Sequence, residues 1–475
     1  MKKLVLLGIV LRAGILFAQD VSLDKKLGAE NALMVEQEIG LYRHDSLQQL
    51  VSNIGQKLVS RLTKNPFEFK FFLADSPEPN AFALPGGYIY VTRGILPIVQ
   101  TEDELAGIIA HEIIHVMQRH SVKQMKKGIV PNLLKIPGNL INTVTGTQLG
   151  NVLNAPIELT SKAFIANYSR GHESEADRFG VQLTASAGYN PAALADALNR
   201  LSKEIELMTG QAEQHSYFSD HPYTPSRESA IRSSAPKYKP VNPSPIAKSQ
   251  SQFLSRFNGL CFGNNPQQGV FSNSVFIQPD LGFSWIIPSA WKTINKPTVV
   301  AAFAEKGDGL VALRLTDGKK TPHALGEEAK EKAVRTEGTQ VLAAHDTTLH
   351  SLPAYILRMK TTNGKNEALV ELVWLDFKNN VIQLAGMSTL ALRNTMHQSV
   401  CSFRNSTDQE KEGVLIFEMH IARSGENETL ASVSERTQNR LNPEFTSLIN
   451  NLSHQRSLEK GQAIKVVKAR PYRPH

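Results

Sequence analysis

The stretch His111-Glu112-Ile113-Ile114-His115 carries the sharpest chemistry in the chain. Two histidines four residues apart fall on one face of a helix. Both imidazoles can then reach a single Zn²⁺, and the glutamate beside the first can serve as base toward a water activated by that ion. The bland alternative is two hydrogen-bonded histidines on a core helix. A catalytic zinc takes three protein ligands and keeps one position open, so a third group must come from elsewhere in the fold. Gly171-His172-Glu173-Ser174-Glu175-Ala176-Asp177 offers it. Glu173 and Asp177 are one helical turn apart, so Glu173 can bind the metal while Asp177 accepts the free imidazole N–H of a ligand histidine and fixes its orientation. His172 and Glu175 are competing ligands, although neither has a carboxylate four residues later. On its own, an acidic helix face is ordinary solvated surface.

Such residues need helices to hold them. Thr101 and Glu104 have capping-box spacing, and Glu102 and Asp103 suit the positive end of a helix dipole, which predicts a helix from about 101 to 125. A second helix is expected over 159–186, stopped by Gly188, with Asn190 and Pro191 opening the next. Apolar residues at three- and four-residue steps predict one or two helices over 24–63, and strands are expected at 67–73 and, after Pro85-Gly86-Gly87, at 88–92. Residues 128–158 are apolar but broken by Pro131, Pro137, Gly138, Gly146 and Gly150, and read as a covering loop, a lid over the metal. Residues 236–251, rich in Ser, Pro and Lys, read as a linker. Alternating runs at Val300–Phe303, Leu310–Leu315 and Ala368–Leu375, with a helix near Ala324–Val334, make 252–412 an α+β domain. Residues 413–475 read strand, helix, helix, strand, ending in a basic tail.

Four segments in order, Asn80-Ala81-Phe82-Ala83-Leu84-Pro85-Gly86-Gly87, the HEIIH stretch, Glu173-Ser174-Glu175-Ala176-Asp177 and His221-Pro222-Tyr223-Thr224-Pro225-Ser226-Arg227, resemble the successive motifs of the HtpX/BepA-type zinc metallopeptidases. That group is metallopeptidase family forty-eight among the gluzincins. The resemblance covers residues 25–235, roughly half the chain. It implies an α+β fold opening with a mostly helical catalytic domain and a small sheet. It further implies one Zn²⁺ held by His111, His115 and Glu173, with Glu112 as catalytic base. His221 and Arg227 would stabilise the transition state, or the histidine would reversibly occupy the open position of the zinc. Tyr88–Thr92 is read as the edge strand along the cleft, the alternative being an ordinary core strand. Asn80, Tyr88, Ile89 and Tyr90 would then bind an extended peptide through the main chain. Residues 281–291 resemble the Mog1/PsbP-like domain appended to some exported members. The tail, through 425–430, 449–452 and 458–462, resembles a degenerate LysM unit, which implies peptidoglycan contact.

The 475 residues, 20% charged and 41% hydrophobic, are globular in composition and long enough for about three domains. Lys2 and Lys3 before the apolar run Leu4–Ala18 have the build of a secretory signal peptide over residues 1–18, which implies export to the periplasm, with a peripheral outer-membrane location as an option. Lys135 and the chain breakers around it argue against a membrane span, and so against intramembrane or prenylated substrates. Without a C-x-x-C, Cys261 and Cys401 are either bridged to each other or free. The net charge of +8 divides informatively: Lys2, Lys3 and Arg12 lie in the leader, and Lys460, Lys465, Lys468, Arg470 and Arg473 lie in a final stretch without an acid. Residues 19–459 are therefore balanced. Nucleic acid is excluded as partner, and the tail suits an anionic lipid or cell-wall polymer. The expected activity is that of an exported zinc metalloendopeptidase acting on unfolded or misassembled envelope proteins. The alternatives are a proteolytically latent chaperone or scaffold and a peptidoglycan-binding adaptor.

Overall fold

Leu47, Leu50, Val51, Ile54 and Leu58 are all buried on one face of helix α2 (Asp45–Val59), and that apolar stripe is what the first core condenses around. The computed structural model describes residues 20–126, 168–209, 217, 221–222, 225–316, 319–363, 366–453 and 455–474. The expected leader at 1–18 and the expected covering loop at 128–158 lie outside them. Ahead of α2 comes α1 (Ser22–Glu38). After it comes a three-stranded sheet of β1 (Lys70–Ala74), β2 (Ala81–Leu84) and β3 (Tyr88–Thr92), in the order β1-β3-β2. Tyr88–Thr92 is thus the central strand, parallel to β1 and antiparallel to β2, which corrects the edge-strand reading. The Pro85-Gly86-Gly87 turn doubles the chain back: Gly87 has φ of 110°, and a Cβ there would sit 2.4 Å from the Glu68 carbonyl oxygen.

Helix α3 (Glu102–Met117) starts where Thr101 Oγ1 accepts the Glu104 amide at 3.2 Å. The reciprocal half of the capping box is redirected, because Glu104 Oε2 accepts the amide of Gln100 at 2.7 Å and pairs with Arg200. The helix expected to reach residue 125 breaks at Arg119, whose φ is 56°, and α4 (His120–Lys126) begins at once. The Arg119 guanidinium is held by Asp24 of α1, which fixes the break. Ser169 caps α5 (Arg170–Ser186), so this helix starts later than the sequence suggests; residues 159–167 are outside the described set. Helices α6 (Ala193–Thr209) and α7 (Pro225–Ser234) complete the layer. α3 and α6 approach closely at Gly107, where a Cβ would come within 3.1 Å of Leu194 Cβ.

The expected linker is packed down. Glu102 accepts the amides of Ile246 and Ala247 at 2.8 and 2.7 Å. Phe253 and Leu254 of α8 (Gln250–Ser255), with Phe257 and Leu260, then join the first core.

The next unit holds two sheets. Strands β5 (Val270–Ser272), β6 (Val275–Gln278), β7 (Phe283–Ile286) and β15 (Arg404–Asn405) form one, in the order β15-β7-β6-β5. The other is seven-stranded and antiparallel: β8 (Lys292–Lys296), β9 (Val299–Phe303), β10 (Gly309–Leu315), β11 (Thr339–Leu349), β12 (Leu352–Asn363), β13 (Asn366–Phe377) and β14 (Asn380–Ser388), in the order β11-β12-β13-β14-β10-β9-β8. Its two faces bury separate cores. One centres on Trp285, Phe403 and Val373 and is covered by α10 (Arg393–Val400). The other centres on Tyr355 and Trp374 under α9 (Pro322–Val334).

After a short helix, α11 (Asp408–Glu412), the tail runs β16 (Leu415–Arg423), α12 (Leu430–Thr437), α13 (Pro443–Asn450) and β17 (Ala463–Pro471), with β16 and β17 antiparallel. The two-residue strand β4 (Cys261–Phe262) adds to β16. This unit is fused to the first: Met419 and Ile449 belong to its core, and the fully buried Lys465 ammonium donates to the Pro97 and Val99 carbonyls at 2.7 and 2.6 Å. Arg470 pairs with Glu418. The basic tail is therefore not a free cationic surface, because one of its charges is a structural plug and another is neutralised. Both cysteines are free thiols. Among the described residues no helix is long and apolar enough to cross a membrane.

Candidate active site

α3 and α5 lie against each other, and their facing sides carry His111, His115 and Glu173, the ligand set the resemblance implied. His111 and His115 project from α3 with their Nε2 atoms 2.9 Å apart. Glu173 of α5 reaches both, Oε2 at 3.4 Å from His111 Nε2 and Oε1 at 3.3 Å from His115 Nε2. His221 Nδ1 stands 3.3 Å from Glu173 Oε1, and its Nε2 stands 3.5 Å from Glu112 Oε1. All five side chains are fully buried. One ligand atom from each of His111, His115, Glu173 and His221 lies within 4.8 Å of the others. Nitrogen and carboxylate lone pairs turned toward one point suit a divalent ion such as Zn²⁺, so the donor set fits the metal. His172 and Glu175 stand outside it: the His172 ring stacks on His120 at 4.3 Å, and Glu175 Oε2 lies 3.2 Å from His120 Nε2.

The layer behind the ligands is charged and ordered. His111 Nδ1 lies 3.0 Å from Asp177 Oδ1, which leaves Nε2 for the metal. Arg227 grips Asp177 with two parallel bonds of 2.8 Å from Nε and Nη2, and its Nη1 reaches Glu173 Oε2 at 2.8 Å and the His221 and Pro222 carbonyls at 3.3 Å. With every guanidinium nitrogen engaged and only 4% of the residue exposed, Arg227 positions Glu173, Asp177 and the His221 turn.

Electrostatics follow from this packing. Burial works to raise the Glu173 and Asp177 carboxyls, but the surrounding cations overturn it. His221, Arg227 and His111 hold Glu173 well below its ordinary value, and Arg227 and His111 hold Asp177 below its own. Burial drives His115 well below the usual imidazole value, keeping it neutral as a ligand must be. For His111 and His221 burial acts the same way, yet the carboxylates win, Glu173 first at His111 and Glu112 first at His221, and both are raised.

Three neighbours went unnoticed in the sequence. His120, five residues past His115, sits with Nδ1 3.0 Å from His115 Nδ1 because the break at Arg119 turns it back; the nearby third histidine was the available signal. Tyr168 stacks on His115 at 3.7 Å, and Tyr217 on His221 at 4.5 Å. The Tyr217 amide donates to Pro79 O, and its carbonyl accepts from the His221 amide, which ties the His221 turn to the small sheet. No spacing rule connects either tyrosine to the metal motif.

The substrate-binding expectation is redistributed. Ile89 and Tyr90 are buried in the central strand, and the main chain of Tyr88–Tyr90 is paired on both sides. Asn80 shapes the turn into β2: its amide donates to Thr92 Oγ1 and its Oδ1 accepts from the Ala81 amide, each at 2.8 Å. Among the described residues β2 pairs on one side only, and Ala83, Leu84 and Pro85 line a narrow pocket with His115, Val116 and Arg119.

Comparison with known proteins agrees with this arrangement. Residues 43–235 match the family model of peptidase family M48. The chain is similar to the beta-barrel assembly-enhancing protease of Yersinia pestis, 28% identical over 264 residues, which are 52% of this chain and 53% of that protein. It is 29% identical to metalloprotease LoiP of Escherichia coli (strain K12) over 38% of this chain and 68% of that one. To the mitochondrial metalloendopeptidase OMA1 of Saccharomyces cerevisiae it is 27% identical over 44% and 61%. The chain spans about half the length of the first curated relatives it matches. Among solved structures, cyanobacterial PsbP from Synechocystis sp. PCC 6803 is similar to 29% of this chain and 95% of its own, at 14% identity and a TM-score of 0.23, too low to assign the fold of the second unit. The HEIIH helix, the acidic helix facing it and the His221 turn all fall within the matched residues, so residues 43–235 carry a peptidase family M48 domain with a zinc-type ligand set, similar to that of the beta-barrel assembly-enhancing proteases.

Proposed function

We propose that this protein is an exported zinc metalloendopeptidase that hydrolyses peptide bonds of misfolded or misassembled envelope proteins in the periplasm. The observation that carries the chemistry is the buried convergence of His111, His115, Glu173 and His221 beside Glu112. The named function of its relatives in beta-barrel assembly supports the envelope setting. His111, His115 and Glu173 would hold the ion. When bound, Zn²⁺ supplies Lewis-acid polarisation of the scissile carbonyl and makes a water acidic enough to attack near neutral pH. Glu112 takes the proton of the attacking water and returns it to the leaving amine. Among the described residues β2 pairs on one side only, and its other side would offer main-chain groups to an extended segment of substrate, a mode that selects unfolded polypeptide over any one side chain.

His221 supports a second reading. It lies inside the ligand set and contacts both Glu173 and Glu112, so it can fill the fourth position and keep the site latent until its turn moves. Both readings are tested with one set of proteins. Glu112→Gln is expected to bind zinc like the wild type and to lose casein cleavage by at least about 100-fold; equal cleavage by both proteins would sink the mechanism. His221→Ala is expected to raise cleavage if the histidine caps the metal. If it stabilises the transition state, the loss is about 3–4 kcal/mol of barrier.

A further inference from the structure

A second cluster of metal-ligating side chains lies in the seven-stranded sheet, remote in sequence from the M48 motifs. Glu371, on the interior strand β13 and only 3% exposed, faces α10. On that helix and its C-terminal cap stand His397 and Cys401, four residues apart and so on one face. The helix comes down close because its neighbour on β14 is Gly386, where a Cβ would sit 2.4 Å from the Met396 sulfur. The Glu371 oxygens lie 2.9 and 3.0 Å from His397 Nδ1, and Cys401 Sγ lies 3.5 Å from that nitrogen and 3.6 Å from Glu371 Oε1.

The polarity of these contacts is informative. One imidazole nitrogen can donate a single hydrogen bond or accept one. Here Nδ1 faces a carboxylate, a thiol and the Arg358 guanidinium at 3.3 Å, while Arg358 Nε also pairs with Glu371 Oε1 at 3.3 Å, so imidazole, thiol and guanidinium all converge on one buried carboxylate. A cysteine-nucleophile triad needs the thiol and the carboxylate on opposite ring nitrogens, which this geometry does not provide. Convergence of sulfur, nitrogen and oxygen on one point is instead what a metal needs. The plan repeats that of the active site, an i, i+4 pair on a helix facing a buried carboxylate on the neighbouring element.

We infer that Glu371, His397 and Cys401 form a second, three-ligand site for a borderline-soft divalent ion of the Zn²⁺ class. Arg358, 40% exposed in its side chain, swings into solvent as the ion enters, and the thiol proton is released to water. A thiolate ligand gives this site a signature that the active site, which contains no sulfur, cannot produce. The test uses the full chain, stripped of metal and reloaded with Zn²⁺ or Co²⁺. Wild type is expected to bind one Zn²⁺ more per chain than Cys401→Ser or His397→Ala. The Co²⁺ form is expected to show a near-ultraviolet sulfur-to-cobalt charge-transfer band that both variants lose. Retention of the active-site Zn²⁺ in the variants shows that they are folded. Equal zinc content in all three proteins, no such band in wild type, or a band that survives Cys401→Ser would overturn the inference.

Discussion

At the scale of single residues, Arg227 holds two buried carboxylates in place at once. Arg227→Gln leaves Glu173 and Asp177 facing each other without their cation. Zinc affinity is expected to fall about 10–100-fold in a chelator competition, as for other groups that orient metal ligands. Glu204 of α6 makes a separate statement about pH. Burial, with Glu78 nearby, raises its carboxyl from 4.5 to about 7. The folded state therefore holds this proton more tightly than the unfolded chain does. The stability it contributes is full below about pH 4.5 and is lost as pH rises through about 7. Glu204→Gln should flatten that dependence. It is expected to be near neutral at pH 5 and stabilising by about 1–3 kcal/mol at pH 8, read by urea unfolding at both values.

Among elements, the link that counts is between the C-terminal βααβ unit and the start of the catalytic helix. Lys465 on β17 sits fully buried against the Pro97 and Val99 carbonyls, close to Glu104 and Arg200, and burial drives its ammonium well below the ordinary lysine value. The Gln100 side chain donates to the Ile449 carbonyl alongside it. Lys465→Met keeps the apolar stem but leaves two buried carbonyls unpaired beside an altered charge balance. It should cost about 2–4 kcal/mol in denaturant unfolding. Lys468, exposed on the same strand, should cost nothing measurable when changed to Met.

For the whole molecule, the peptidase unit and the tail share one hydrophobic core, to which Met419 and Ile449 contribute. Deleting 413–475 is therefore expected to yield a protein with a much lower and broader thermal transition by circular dichroism, whatever its binding to peptidoglycan. A tail that were only a cell-wall adaptor would instead come away and leave the melt of the remainder unchanged. The seven-stranded sheet has no comparable dependence on it, since its two cores are built from residues 271–403 alone.

The sequence by itself determined the chemistry. His111, Glu112 and His115 are tied by helical periodicity, Glu173 and Asp177 likewise, and such spacing survives any arrangement of the helices that carry it. It also determined the strands near 300, 310 and 370, whose apolar runs are long. Two hairpins beside them were less legible. They turn on His350-Ser351 and Lys378-Asn379, all four with positive φ, where the Asn-Gly signal of a tight hairpin is absent. Only the tertiary structure decided what non-local contacts decide. Strand order made β3 central and β2, among the described residues, paired on one side only. The Asp24–Arg119 pair broke the catalytic helix and brought His120 onto His115. Arg227 became a brace because two carboxylates on another helix claim its guanidinium. Lys465 changed from a surface charge into a buried plug because β17 packs where two backbone carbonyls need a donor. Spacing fixes what one element can present. Which partner it meets depends on burial and pairing between residues distant in the chain.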